Sequence, residues 1–237
     1  MDILAIIASL AAFFVKGLAG FANTLVFTTI LGFGSSNLQI TPMELVLGFP
    51  CNIYVAWHER KKISMKKILP IAAMVMVGSI PGAFFLKSLD VKFLKILFGI
   101  LVVIIGIDML VKNGRKPKND SKVLTTLLGL AAGILCGLFG VGVLVAAYIN
   151  RTSDNPDEFK GTVSAVFAVE NIFRIVLYAC TGILTFDILL GALKLVPFMI
   201  IGLAAGLICS GKMKESLVKK IVIILLIIAG VALIIKA

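Results

Sequence analysis

The chain has 237 residues, of which 60% are hydrophobic and only 15% charged, with a net charge of +11. A soluble domain of this length has nowhere to hide so much apolar surface, and apolar stretches of 18 or more residues match the roughly 20 needed to cross a bilayer. Nucleic-acid binding is excluded as a reading of the charge, because the basic residues cluster between the apolar segments, as the positive-inside bias requires, and are attracted there by anionic lipid headgroups.

Eight apolar segments follow one another, at about 3–33, 42–57, 66–86, 92–111, 122–149, 161–181, 185–209 and 217–235. The expected fold is therefore an all-α, polytopic membrane protein, multi-pass in the cell (inner) membrane. The start, Met-Asp-Ile-Leu, has no basic n-region and its apolar run continues, so it reads as a retained segment and not a signal peptide.

The first segment contains Lys16-Gly17-Leu18-Ala19-Gly20-Phe21-Ala22-Asn23-Thr24. As one helix, 3–33 would be about 46 Å long at 1.5 Å per residue, against a core of roughly 30 Å. It is too short for two spans, so a hairpin of two half-helices turning at the glycines fits. Helix ends at such a break present unpaired N–H groups, a ready anion site. Lys16, Gly17, Gly20, Asn23 and Thr24 are candidate substrate-binding residues. The competing reading has Gly17 and Gly20 serving tight packing, with Asn23 and Thr24 bonded to a neighbouring helix.

In the second segment Asn52 is the candidate ligand, and Glu44, following Thr41-Pro42, reads as a helix cap. The loop 58–67 that follows carries five Lys/Arg. The third segment carries Gly78 and Gly82, the fourth Gly106 and Asp108. The linker Lys112–Lys122 is the most polar stretch and divides the chain into a first membrane repeat (1–111), a basic cytoplasmic linker (112–122) and a second membrane repeat (123–237).

The fifth segment opens the second half with Gly133, Gly137, Gly140 and Gly142. Gly137, Gly140 and Gly142 are candidate substrate contacts through backbone N–H groups, since no polar side chain accompanies them. The sixth holds Glu170, Asn171 and Arg174. Glu170 and Arg174 lie four apart and share a helix face, and charges at such depth are functional by default. Arg174 is a candidate anion contact, with Glu170 its counter-ion or a proton carrier. The seventh segment carries Gly202, Gly206 and a snorkelling Lys194, the eighth Gly230.

The two halves match in register. Gly17-Leu18-x-Gly20 corresponds to Gly137-Leu138-x-Gly140, Asn52-Ile53 to Asn171-Ile172, and Gly78, Gly82 and Gly106 to Gly202, Gly206 and Gly230. Two homologous repeats of four segments are therefore expected, and loop charge favours inverted halves. Loop 58–67 is strongly basic while its counterpart 181–186 has no Lys/Arg; loop 34–41 has none while 150–160 has Arg151 and Lys160. Inversion needs an odd number of crossings per half, so the first segment of each is expected to be broken or re-entrant. That model puts 16 Lys/Arg on one side and 4 on the other, with both ends of the chain outside.

Cys51, Cys136, Cys180 and Cys209 lie in or beside apolar runs without CxxC spacing and read as reduced thiols. No metal cluster, cofactor motif, nucleotide loop or nucleophile–base pair is visible, so the chain reads as a non-enzyme without cofactor or metal.

The run Ala132-Gly133-Ile134-Leu135-Cys136-Gly137-Leu138-Phe139-Gly140-Val141-Gly142, then Glu158-Phe159-Lys160-Gly161-Thr162 and Asn171 to Arg174, resembles the TauE/SafE sulfite exporter family. His58-x-Arg60, Ile63 and the Gly78/Gly82 segment are similar to that family's first repeat. The resemblance implies secondary transport of small anions, of the sulfite, sulfonate or sulfoacetate class, by alternating access about a midplane site between the repeats. Where the family runs Gly-Gly-Gly this chain has Ala22-Asn23-Thr24, and where it has Gly-Gly-Pro this chain has Gly142-Val143-Leu144. Those departures fall in the binding elements and leave the particular anion open. The implied partners are the anion, the lipid bilayer, coupling protons and a second copy in a homo-oligomer. The rival readings are a non-transporting membrane assembly factor and an anion channel.

Overall fold

The computed structural model describes residues 3–20, 22–32, 34–61, 65–90, 122–140 and 156–210 in continuous stretches, with isolated positions elsewhere. Among the described residues the chain is helical and has no strand. Among the described residues seven helices can be bounded, in order: α1 (Ile3–Ala19), α2 (Asn23–Leu31), α3 (Asn37–His58), α4 (Met65–Ser88), α5 (Lys122–Phe139), α6 (Pro156–Cys180) and α7 (Phe186–Ser210). Most of the expected linker and of the eighth segment and half of the fourth, with Gly106, Asp108 and Gly230, lie outside the described residues.

Among the described residues three stretches are long and apolar enough to cross a membrane: Ile68–Ser88, Glu158–Cys180 and Phe186–Cys209. Their outer faces carry exposed Leu69, Val77, Phe84, Ile172, Val176, Ile200 and Ile208. In lipid such a surface needs no further cover. The inside is the reverse, with Lys16, Glu44, Glu170 and Arg174 all at 3% exposure or less. Trp57 and Tyr54 stay exposed at the end of α3, with Arg60 stacked 4.2 Å over the Trp57 ring, the chemistry of a membrane–water boundary.

The first apolar segment is two helices. At 17 and nine residues, α1 and α2 are about 26 Å and 14 Å long at 1.5 Å per residue, so neither spans the roughly 30 Å core by itself. Between them Gly20 has φ +82° and Ala22 φ +71°. The left-handed backbone suits glycine and strains alanine. The fifth segment also leaves its helix at a left-handed glycine, Gly140, with φ +70°.

Close backbone packing pairs α1 with α7 and α4 with α5. A Cβ on Gly202 would meet the Leu10 carbonyl oxygen at 2.5 Å, and one on Gly206 would collide with that of Phe14. On the other side, a Cβ on Gly78 would meet the Leu130 carbonyl at 2.5 Å, and one on Gly82 would collide with that of Ile134. Contacts advance in the same direction along both partners, so each pair runs parallel. Small residues at this spacing let backbones approach where lipid gives no hydrophobic drive to helix association. α3 packs across α6 in the opposite sense, with Glu44 level with Arg174 and Glu59 level with Gly161.

Two boundaries differ from the hydropathy reading. α3 begins at Asn37 and α6 at Pro156, because polar residues such as Asn37, Thr41 and Glu158 are buried against protein and not facing lipid. Glu44 is consequently two turns inside α3 and does not cap it; Ser36 occupies the N-cap position.

Candidate functional site

The break between α1 and α2, the middle of α3, the end of α5 and the middle of α6 converge on one cavity. Lys16, Ala22, Asn23, Thr24, Leu25, Glu44, Asn52, Gly140, Gly142, Phe167, Asn171 and Arg174 line it. Its free volume is about 30 Å³, above the roughly 10–15 Å³ that a single water needs.

Lys16 projects from the last turn of α1. Its Nζ donates to Asn52 Oδ1 at 2.6 Å and to Asn23 Oδ1 at 3.3 Å. Asn23 passes the polarity on, its Nδ2 donating to Glu44 Oε1, and Thr24 hydrogen-bonds the same carboxyl. Asn23 to Leu25 form the first turn of α2, where backbone N–H groups lack intrahelical acceptors and the helix dipole favours negative charge.

Arg174 faces Lys16 from the opposite half. Its Nη1 donates to the Cys136 carbonyl and its Nη2 to Asn171 Oδ1 at 3.3 Å. Its Nε lies 3.4 Å from Glu170 Oε1, and Ser79 Oγ donates to the same oxygen at 3.2 Å. Tyr178, one turn further on, places its ring 5.8 Å from the guanidinium and donates to the Gly137 carbonyl at 2.6 Å. The Gly137 carbonyl is among those that the end of α5 leaves without helix partners, while the Cys136 carbonyl also accepts from the Gly140 N–H at 2.8 Å. Residues 167, 170, 171, 174 and 178 fall on one face of α6, so a single helix supplies cavity wall, ion pair and anchor.

Of the candidate residues, Lys16, Asn23, Thr24, Asn52, Gly140, Gly142, Asn171 and Arg174 come together at the cavity. Gly17, Gly20, Gly137 and Glu170 are not among its lining residues. Gly17 packs on Leu203 and Gly206, Gly137 on Gly82 and Ser79, and Gly20 on the Lys160 side chain. Glu170 is fully buried behind Arg174. Both halves of the competing reading of the first break thus have a place: its glycines at positions 17 and 20 pack, and Asn23 is bonded to a neighbouring helix while still facing the cavity.

Four lining residues, Ala22, Leu25, Glu44 and Phe167, escaped the sequence reading. Glu44 was readable as a lone charge in an apolar segment, the same signal that singled out Glu170 and Arg174, but Thr41-Pro42 just before it imitates a helix start. Phe167 lies one turn before Asn171 and presses its ring against Gly142; a Cβ there would overlap the ring.

The model of the family described as Sulfite exporter TauE/SafE matches residues 4–233. The chain belongs to this family. No curated protein and no solved structure matches it. TauE/SafE proteins are membrane transporters and not enzymes, and this member is a multi-pass membrane protein.

Proposed function

We propose that this TauE/SafE protein is a secondary transporter of small sulfur-containing or organic oxyanions, of the sulfite, sulfonate or sulfoacetate class, in the cell (inner) membrane. The anion binds between the two halves, and the protein exposes that site alternately to the two sides. The observation that carries the reading is the pairing of Lys16 and Arg174 across one cavity whose lining also holds the neutral donors Asn23, Thr24, Asn52 and Asn171 and the carboxylate of Glu44. Lys16 and Arg174 attract the anion. Asn23, Thr24, Asn52 and Asn171 orient it, and the first turn of α2 with the backbone at Gly140 and Gly142 completes the cradle. Glu170 balances Arg174 in the empty protein.

The halves are read as inverted repeats. Two sets of contacts support this. Leu10, Phe14 and Gly17 meet Gly202 and Gly206 as Leu130, Ile134 and Gly137 meet Gly78 and Gly82, so residues 120 to 124 apart play equivalent parts. The loops also pair as re-entrant first segments require. Gly161 lies against Glu59 and Ile63, and Lys87 Nζ donates to the Thr181 carbonyl at 2.9 Å. If all eight segments crossed, each of these contacts would join opposite sides of the membrane.

Flux of labelled sulfite, sulfonates and sulfoacetate into proteoliposomes, with and without a pH gradient, tests the function. Uptake of at least one anion and an anion-dependent thermal shift are expected; the absence of both would falsify the reading. Topology has its own test. A cysteine at Lys236, in a background without the native cysteines, reacts with an impermeant label from outside, and labelling from the cytoplasm alone rules out the re-entrant arrangement.

A further inference from the structure

The cavity contains a carboxylate that an anion site does not call for. Glu44 is 2% exposed and lines the cavity beside the two cations. Its Oε1 is tied through the Asn23 amide to Lys16. Its Oε2 reaches the other way. A Cβ at Gly140 would stand 3.4 Å from Glu44 Oε2 and 3.2 Å from Arg174 Nη1, so the second oxygen and the guanidinium approach the same point. Glu44 therefore occupies the negative position between Lys16 and Arg174, where a substrate anion is drawn.

Glu170 is placed differently. It is fully buried, ion-paired with Arg174 and hydrogen-bonded by Ser79 through Oε1, with Oε2 unpartnered, and it is not among the lining residues. The ionisable groups that act on Glu44 are Lys16 on α1, Cys51 on α3, Cys136 on α5, and Arg174 and Tyr178 on α6. Helix α2, which supplies Asn23 and Thr24, has no ionisable side chain.

The charges then decide what can bind. Lys16 and Arg174 against Glu44 and Glu170 sum to zero in the empty site. A monoanion added to that set leaves a net negative charge buried in the membrane, pressed against a carboxylate, and both are costly. One proton on Glu44 restores neutrality. The carboxyl then becomes a donor, able to hydrogen-bond the oxyanion it formerly repelled.

We propose that Glu44 is the proton-coupling residue: it takes one proton from solution for each monoanion bound, so that the protein carries one proton and one anion together as a neutral load. The inference rests on the anion-transport reading above. It moves the coupling role expected of Glu170 to a residue that touches the substrate.

Methanesulfonate is the probe, because it stays a monoanion throughout the accessible pH range, so any proton taken up belongs to the protein. With the full-length wild-type protein in detergent and weak buffer, binding is expected to draw about one proton per anion. Affinity is expected to fall about tenfold per pH unit over part of the range from about pH 5 to pH 9, the slope for one linked proton. In Glu44→Gln both the uptake and the slope vanish, whereas Glu44→Asp keeps them. Wild-type binding without proton uptake overturns the inference, as does an unchanged slope in Glu44→Gln. Should Glu44→Gln not fold, Glu170→Gln decides: uptake and slope retained there support Glu44, and their loss overturns the inference. If neither methanesulfonate nor sulfite binds at any pH, the anion site itself is wrong, and the coupling falls with it.

Discussion

The two sides of the cavity hold the same inventory, a cation, an asparagine and a carboxylate, arranged in two ways. On the α6 side, Glu170 touches Arg174 directly, at 3.4 Å, and is sealed behind it by Ser79. On the α1–α3 side, Glu44 reaches Lys16 only through the Asn23 amide and stays on the cavity wall. A direct, buried ion pair fixes the position of the guanidinium, although Glu170 Oε2 has no hydrogen-bond partner among the described residues. An amide-bridged pair leaves a carboxylate that a ligand can displace or a proton can silence. The same four charges thus provide one rigid anchor and one exchangeable seat.

Removing Arg174 breaks that comparison most severely. Arg174→Met is expected to abolish anion flux and to destabilise the protein by about 3–5 kcal/mol, because Glu170 is left buried without its partner. Thermal unfolding in detergent measures the second effect. The double variant Arg174→Met/Glu170→Met is expected to regain most of the stability and none of the flux, as replacing a whole buried pair by apolar residues often is neutral or better. Persistent anion binding in that double variant would show that Arg174 does not hold the substrate.

Lys16→Met probes the exchangeable side. It is expected to lower anion affinity by about 1.5–3 kcal/mol, the range for a hydrogen bond to a charged group, with a smaller loss of stability than Arg174→Met. Titration by calorimetry separates the two. Equal destabilisation by both variants would mean that the Lys16 cluster is as sealed as the Arg174 pair.

Next come the glycine contacts that hold the halves together. Gly82→Ala and Gly206→Ala each push a methyl into opposing backbone, with an expected cost of about 1–3 kcal/mol from overpacking. Equivalent roles predict similar shifts in unfolding temperature, and a large disparity argues against the repeat. The smallest expected change in stability is that of Gly142→Ala. There the new methyl meets only the far end of the Phe167 ring, which turns into the cavity, so flux falls while unfolding temperature hardly moves.

Much of the site was legible from residue type and depth. Lys16, Glu170 and Arg174 stood out because ionisable residues inside apolar segments are expensive, and Asn52 and Asn171 because they repeat in register. The hydroxyl and amide of Thr24 and Asn23 stood out beside a glycine break. What misled was local grammar. Thr41-Pro42 before Glu44 looks like a helix start, yet α3 had begun at Asn37, because buried polar residues continue a helix that hydropathy ends. The glycines misled in another way. Gly17 and Gly137 look alike with Gly140 and Gly142 in sequence, but the first two meet backbone across helices and the last two border the cavity.

The sequence alone determined the environment, the helical class, the family and which residues are too polar for lipid, since these follow from composition and from spacing along one chain. Which carboxylate lines the cavity was decided only by tertiary structure. Glu44 and Glu170 are chemically near-identical and each lies in an apolar segment. Their difference arises from helices far apart in sequence, with Asn23 and Gly140 holding Glu44 open to the cavity and Ser79 closing Glu170 away from it.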